Sequence, residues 1–322
     1  MSNRELSILI PSRNEMFLAR TIQDILENTE ADTEIIAVLD GQWANPAIPQ
    51  HERVNVIYVP EAIGQRAAGN LACKLANGKY VMKVDAHCSF DKGFDRKMLD
   101  AFKEMGDNVT MVPIMKNLHA FDWKCYDCGW KKYQGPTPEK CESCGSKNLR
   151  RKMLWRPRRG THSTSYCFDA EPHFQYFNDV LSRPEYKKDL EEKGLTESMS
   201  LQGSCFMMTR DKYWELDICH EGFGSWGNQG IEVAVKTWLS GGRVLCNHRT
   251  WYAHMFRTQG GDFSFPYPQS GRQVQKCKEK VKDLFWNKKF NGQIYPLSWL
   301  VEKFWPCKGW TQEDLNKIKC QK

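Results

Sequence analysis

Tyr80-Val81-Met82-Lys83-Val84-Asp85-Ala86-His87-Cys88 is the most informative run in this chain of 322 residues. Its first five residues read as a buried strand, and Asp85 stands at the strand's end. Along an extended backbone, residues two apart project to the same side. Asp85 and His87 can therefore grip one divalent cation, through an oxygen and a nitrogen. Mixed oxygen and nitrogen donors suit Mn2+, among others.

The residues before this run alternate between two patterns. Ser7-Ile8-Leu9-Ile10 reads as a buried strand that Pro11 stops. Phe17 to Leu26 has helical spacing. Residues 34–39 form a second apolar run, closed by the turn pair Asp40-Gly41. Val54 to Val59 is a third strand, and Gln65 to Ala76 a helix closed by Asn77-Gly78. Such alternation predicts an α/β fold with a mostly parallel sheet and helices on both faces. Ligands of these sheets bind beyond the carboxyl ends of the strands. Asp40 and Asp85 both fall there, and each either contacts a ligand or caps the turn that follows. Further on, 200–213 reads as strand then helix, 230–239 as a helix closed by Gly241-Gly242, and 243–246 as a strand. Val274 to Phe285 has helical spacing and leads into a Trp- and Pro-rich end.

Between His119 and Arg159 the composition shifts to Cys, Lys, Arg, Gly and Pro, which reads as an inserted module. Cys125-x-x-Cys128 is followed twelve residues later by Cys141-x-x-Cys144, and a glycine follows each pair, Gly129 and Gly145. Two such knuckles bring four thiolates onto one tetrahedral Zn2+ with no position left for water, so the zinc holds structure. Just beyond lie Lys147, Arg150, Arg151, Lys152, Arg156, Arg158 and Arg159, with no acidic residue among them. This run is either a solvated face or a site for an anionic partner. The whole chain carries a formal charge of +7.

Composition excludes several classes. Hydrophobic residues make up 41% and charged residues 26%, as in ordinary globular proteins. No apolar run approaches the roughly 20 residues of a membrane-spanning helix. Thirteen cysteines, an odd number without a secretory pattern, argue against a disulfide framework. A polar Met1 to Glu5 carries the expectation of no signal peptide and a cytoplasmic protein.

Taken in order, these motifs resemble the GT-A glycosyltransferases: the family-two type overall, and the polypeptide N-acetylgalactosaminyltransferases around the metal motif. Residues 7–15 look like the opening strand and loop, and 35–41 like the second strand. Asp85-Ala86-His87 is similar to the Asp-x-His form of the metal motif. Gly203 to Met208 resembles the acceptor-side strand, and Trp226 to Glu232 a Trp-Gly-Gly-Glu-Asn-x-Glu stretch. Ala253-His254-Met255-Phe256-Arg257 is similar to a His-x-Phe-Arg segment. The resemblance covers roughly 5–118 and 198–260. It implies a nucleotide-sugar half at 1–118 and an acceptor half at 161–260. The zinc ribbon with its basic segment would take 119–160, and a helical extension 261–322.

The resemblance implies roles as well. Asp85, His87 and His254 would bind Mn2+ or another divalent cation, which would hold the pyrophosphate of a UDP-sugar donor. Asp40 would meet the base, Arg66 would contact the donor, and Pro11, Arg13 and Glu15 would line the nucleotide side. Arg257 would add positive charge at the leaving group. Where inverting relatives keep a carboxylate base, this chain has Gln229. Either Glu232, one helical turn on, is the base, or the leaving phosphate takes the proton in a retaining reaction, which the Asp-x-His likeness favours. For the acceptor, the ribbon, its basic flank and Trp155 favour DNA with a hydroxymethylated pyrimidine. The alternatives are a protein Ser or Thr, a glycan, or a non-catalytic zinc-ribbon binding protein.

Overall fold

The structure is a computed structural model that describes residues 4–225, 227–257, 264–267 and 271–320. Strand β1 (Leu6–Ser12) is buried along its whole length. After it come α1 (Leu18–Asn28), β2 (Thr33–Asp40), β3 (Val54–Val59), α2 (Gln65–Lys74) and β4 (Tyr80–Val84). β1 pairs in parallel with β2 and β4, and β2 with β3. Pro11 does not stop β1. It sits opposite Val38, one residue from the strand's end, where a missing N–H costs little.

Next in the chain are β5 (Cys88–Phe90), α3 (Phe94–Met105), β6 (Val109–Cys125), β7 (Lys131–Tyr133) and β8 (Leu149–Ser163). Then come β9 (Tyr166–Phe168), β10 (Phe174–Tyr176), α4 (Pro184–Lys193), β11 (Leu195–Glu197), β12 (Cys205–Thr209) and α5 (Arg210–Glu215). The last elements are α6 (Gln229–Leu239), β13 (Arg243–His254), α7 (Gly271–Val281), α8 (Leu297–Lys303) and α9 (Gln312–Cys320). The main sheet runs β11-β13-β6-β12-β4-β1-β2-β3. β12 is antiparallel to both of its neighbours, while β13 and β6 are parallel. The sheet is thus mixed, with the parallel run β4-β1-β2-β3 that the alternation predicts.

Two apolar layers cover its faces. Ile8 and Ile10 of β1 point into one, with Ile22, Phe94 and Phe102. Leu9 points into the other, with Ala68, Trp238 and residues of all three C-terminal helices. Each fully buried side chain of this size contributes roughly 1.5–3 kcal/mol. The segment from α7 onward therefore completes the core. Trp238 meets Phe304 with ring centroids 5.7 Å apart. No helix among the described residues is long and apolar enough to cross a membrane.

The expected inserted module takes a different form. β6 leaves the sheet without a break and pairs antiparallel with β8, from Met115 opposite Ser163 to Cys125 opposite Leu149. The pair forms a hairpin arm that carries the four cysteines at its tip. Apolar periodicity persists along it. Leu118, Ala120, Phe121 and Trp123 form a small core with Phe17, Ala253 and Met255. Trp155 joins that core: it is buried, packs against Phe17 at 6.0 Å and donates to Asp24 Oδ2 at 2.7 Å. The expectation that Trp155 offers a stacking face is overturned, because Asp24 draws the indole N–H inward beneath the exposed arginines.

Candidate active site

Register places the metal-motif residues. β5 pairs antiparallel with β13, which sets His254 opposite Cys88. The N–H of Met255 then bonds the His87 carbonyl at 3.2 Å. Asp85 is tied to β12 through its N–H and the Ser204 carbonyl, at 2.8 Å. Three segments distant in sequence thus converge on one point.

There His87 Nε2 and His254 Nε2 stand 3.1 Å apart. Asp85 Oδ2 lies 3.3 Å from the His254 nitrogen and 3.9 Å from that of His87. Donor atoms at about 2.1 Å around one cation stand roughly 3 Å from each other, so this triangle fits a divalent ion. Burial pushes the His254 imidazole down to about 4, which leaves its lone pair free to ligate. Burial would raise the Asp85 carboxyl, but Lys83 and the two histidines hold it well below the usual range. Glu15 sits behind His87 and accepts from Nδ1 at 2.8 Å, an arrangement that fixes a metal-binding ring. Arg257 in turn grips Glu15 at 2.6 Å, and its other nitrogen bonds the Ser264 carbonyl.

The triangle opens into a cavity of about 550 Å3, lined by Pro11, Arg13, Glu15, Asp85, His87, Gln229, His254 and Arg257 among others. A cavity of this volume suits a cofactor-sized ligand. Arg13 bonds the Asp40 and Pro266 carbonyls at 2.8 and 3.2 Å. Gln229 heads α6, and its side-chain amide donates to Cys219 Sγ at 3.1 Å.

Three expected site residues lie apart from this cavity. Asp40 is fully buried and accepts from the N–H groups of Ile63 and Gly64 at 2.6 and 2.9 Å and from the Tyr267 hydroxyl at 2.6 Å. It orders the turn that leads into α2. Arg66 is buried, pairs with Glu232, bonds the Gly227 carbonyl at 2.6 Å and lies over the Phe223 ring. Glu232 also accepts from Lys236 at 3.0 Å and from the His220 N–H at 2.9 Å. Burial opposes its charge, but Arg66 and Lys236 outweigh that and hold its carboxyl below the ordinary value. The reading of Glu232 as a base is corrected: the carboxylate is sealed in an ion-pair network away from solvent. Trp226, part of the stretch that suggested it, lies outside the described residues.

Lys83 was missed at the sequence level. Its ammonium reaches Asp85 Oδ1 at 2.5 Å and the Gly203 carbonyl at 2.8 Å. The available signal was a lysine in an otherwise apolar strand. The second cluster lies at the arm's tip, where the sulfur atoms of Cys125, Cys128, Cys141 and Cys144 all fall within 4.8 Å of one another. Cys125–Cys144 and Cys128–Cys141 are 3.7 and 3.6 Å apart, too far for disulfides and close to the edges of a tetrahedral Zn–S4 site. Gly129 and Gly145 both take positive φ in matching turns, and their N–H groups bond the Cys125 and Cys141 carbonyls.

Comparison with known proteins bears on the fold. The glycosyl transferase family 2 profile matches residues 7–144. A Drosophila melanogaster polypeptide N-acetylgalactosaminyltransferase, number 13 by name, is 25% identical over 314 residues, covering 92% of this chain and 48% of its own. Polypeptide N-acetylgalactosaminyltransferase 12 of Mus musculus is 21% identical over 318 residues, with the same shares covered. A crystal structure of GalNAc-T7 with UDP, GalNAc and Mn2+ superposes with a TM-score of 0.63 at 17% identity, over 88% of this chain and 48% of that one. Residues 7–144 match the family 2 glycosyl transferase profile, and the superposition shows the GT-A fold. The chain is similar to the polypeptide N-acetylgalactosaminyltransferases and spans about half the length of the curated relatives it matches.

Proposed function

We propose that this protein transfers a sugar from a UDP-sugar to a hydroxyl group, with a divalent cation and with retention at the sugar carbon. The observation that carries this reading is the buried triangle of Asp85, His87 and His254 at the floor of the cavity. A cation held there, Mn2+ in the first instance, would supply Lewis acidity toward the donor diphosphate. Glu15 orients His87, and Arg257 orients Glu15. Gln229 stands on the cavity wall at the N-terminus of α6, where unpaired backbone N–H groups favour anions. Retention follows from the absence of a free base. The only carboxylates lining the cavity, among the described residues, are Asp85 and Glu15, and both are engaged. His173, also on the wall, is held between Asp169 and Lys278. The leaving diphosphate is then the group placed to take the acceptor proton. The anomeric configuration of the product, read by NMR, tests this point, and inversion would refute it.

Two acceptors have support. Relatives named for polypeptide transfer point to a Ser or Thr hydroxyl. The arm points to modified DNA. Lys147, Arg150, Lys152, Arg156, Arg158 and Arg159 are all exposed, and none has an ion-pair partner among the described residues. Exposed Tyr126 and Tyr133 lie under Arg150 and Arg158. A second cavity, about 700 Å3, opens between Arg151 and Met153 of the arm and the loop at 42–46. Trp43, 69% exposed on its rim, takes the stacking role that buried Trp155 cannot. On the DNA reading, R150Q/R156Q/R158Q weakens duplex binding at least tenfold at 100 mM salt and flattens its salt dependence. Unchanged binding and slope, together with product on a Ser/Thr peptide pool, leave the polypeptide acceptor.

Zinc at the four cysteines is part of the same proposal. About one zinc per chain is expected by elemental analysis, and Cys128→Ser releases it. The small arm tip, in which Cys128 and Cys144 are exposed and Cys125 and Cys141 buried, then loses protection from proteolysis while the sheet keeps its own. A Cys128→Ser arm that resists protease like the wild type would count against a structural zinc.

A further inference from the structure

Lysine is rarely buried, yet Lys83 is 1% exposed in the middle of β4, flanked there by Tyr80, Val81, Met82 and Val84. It pairs across the sheet with Leu9 on one side and Phe206 on the other. Residues two apart on a strand share a face, so Lys83 and Asp85 point the same way. The ammonium takes Asp85 Oδ1, to which Gln65 Nε2 also approaches at 3.4 Å. Only Oδ2 is left toward the two histidines.

The charges around the triangle cancel in pairs. Lys83 faces Asp85, and Arg257 faces Glu15. Imidazole ligands bind metals as neutral groups. A divalent cation entering this site would therefore meet almost no net negative charge from the protein, and would keep its full charge toward an incoming anion. In a buried setting an uncompensated carboxylate would bind it far more strongly.

We propose that Lys83 is a positioning residue of the metal centre. It restricts Asp85 to one-oxygen ligation and offsets its charge, so that the cation binds weakly alone and tightly only together with a nucleoside diphosphate. This rests on the reading of Asp85, His87 and His254 as metal ligands. Ion and nucleotide are then coupled thermodynamically, each strengthening the other by the same factor. Such coupling would keep the metal from being trapped without donor.

The test is Mn2+ binding to the full chain, followed by electron paramagnetic resonance with and without UDP. In the wild type, UDP tightens Mn2+ by about tenfold or more. Lys83→Met tightens Mn2+ alone by about tenfold and shrinks the effect of UDP. In an Asp85→Asn background, Lys83→Met has a smaller effect, because the release of the second carboxylate oxygen is lost and only the direct charge effect on the cation remains. Lys83→Gln keeps a donor to Asp85 and Gly203 without the charge, and gives the charge effect if Lys83→Met does not fold. A folded variant with unchanged or weaker Mn2+ affinity overturns the proposal, as does an equal change in the Asp85→Asn background. No Mn2+ binding by the wild type, with or without UDP, overturns the metal-centre reading and this inference with it.

Discussion

Replacing His254 with alanine lowers Mn2+-dependent sugar transfer by about a thousandfold and leaves the fold intact. His254 ends β13 beside His87 and Asp85, and it is one of three donors in the triangle. Removing it leaves two donors and a vacant corner. Metal charge stabilisation of a leaving diphosphate is worth several kcal/mol, and each 1.4 kcal/mol is a factor of ten in rate. The side chain lies at a strand end and makes no hydrogen bond through its buried Nδ1 among the described residues. Thermal unfolding should therefore move little. Initial rates across a Mn2+ series, beside a melting curve, check both halves. Full activity in His254→Ala would remove His254 from the centre. A collapsed melting curve would make its role structural.

Glu232→Gln has the opposite profile and destabilises the protein by about 3–5 kcal/mol. Its carboxylate is wholly buried and balances Arg66 and Lys236, both of which are also buried. A neutral amide of the same shape leaves two cations in the core with one fewer countercharge, a loss of this order for a broken buried pair. The network also fastens α6 to the Gly227 and His220 backbone, so Gln229 at the head of the helix loosens with it. Urea unfolding measures the loss. At a temperature where the variant stays folded, its transfer rate should stay within about tenfold of wild type. Stability unchanged with activity abolished would restore Glu232 as a base.

Much of the parallel half was legible because local signals agreed with the global fold. β3 and β4 fall where the apolar runs placed them, and Asp40 and Asp85 stand at strand ends. The Asp85–His87 pair needed only strand periodicity. His254 needed the resemblance, since nothing in its own sequence reveals that β13 lies beside β5. Glu232 was misread as a base, and Arg66 was expected at the donor, because a charged residue near a motif looks functional until its burial is known. Trp155 was misread for a related reason: its arginine neighbours suggested an exposed face, while a positive φ at Trp155 breaks the strand alternation and turns the indole inward onto Asp24. The hairpin was read as a separate module because its cysteines and cations masked the apolar positions at Leu118, Ala120, Phe121 and Trp123. Lys83 escaped notice because one charge did not break an apolar strand.

The measurement closest to the central claim is release of UDP from a panel of UDP-sugars, with and without Mn2+, in the wild type and in Asp85→Asn. The account predicts Mn2+-dependent UDP release from at least one donor in the wild type, faster with a hydroxyl acceptor and lost in Asp85→Asn. UDP release that is indifferent to Mn2+ and to Asp85, or none from any donor in a folded protein that binds Mn2+, would contradict it.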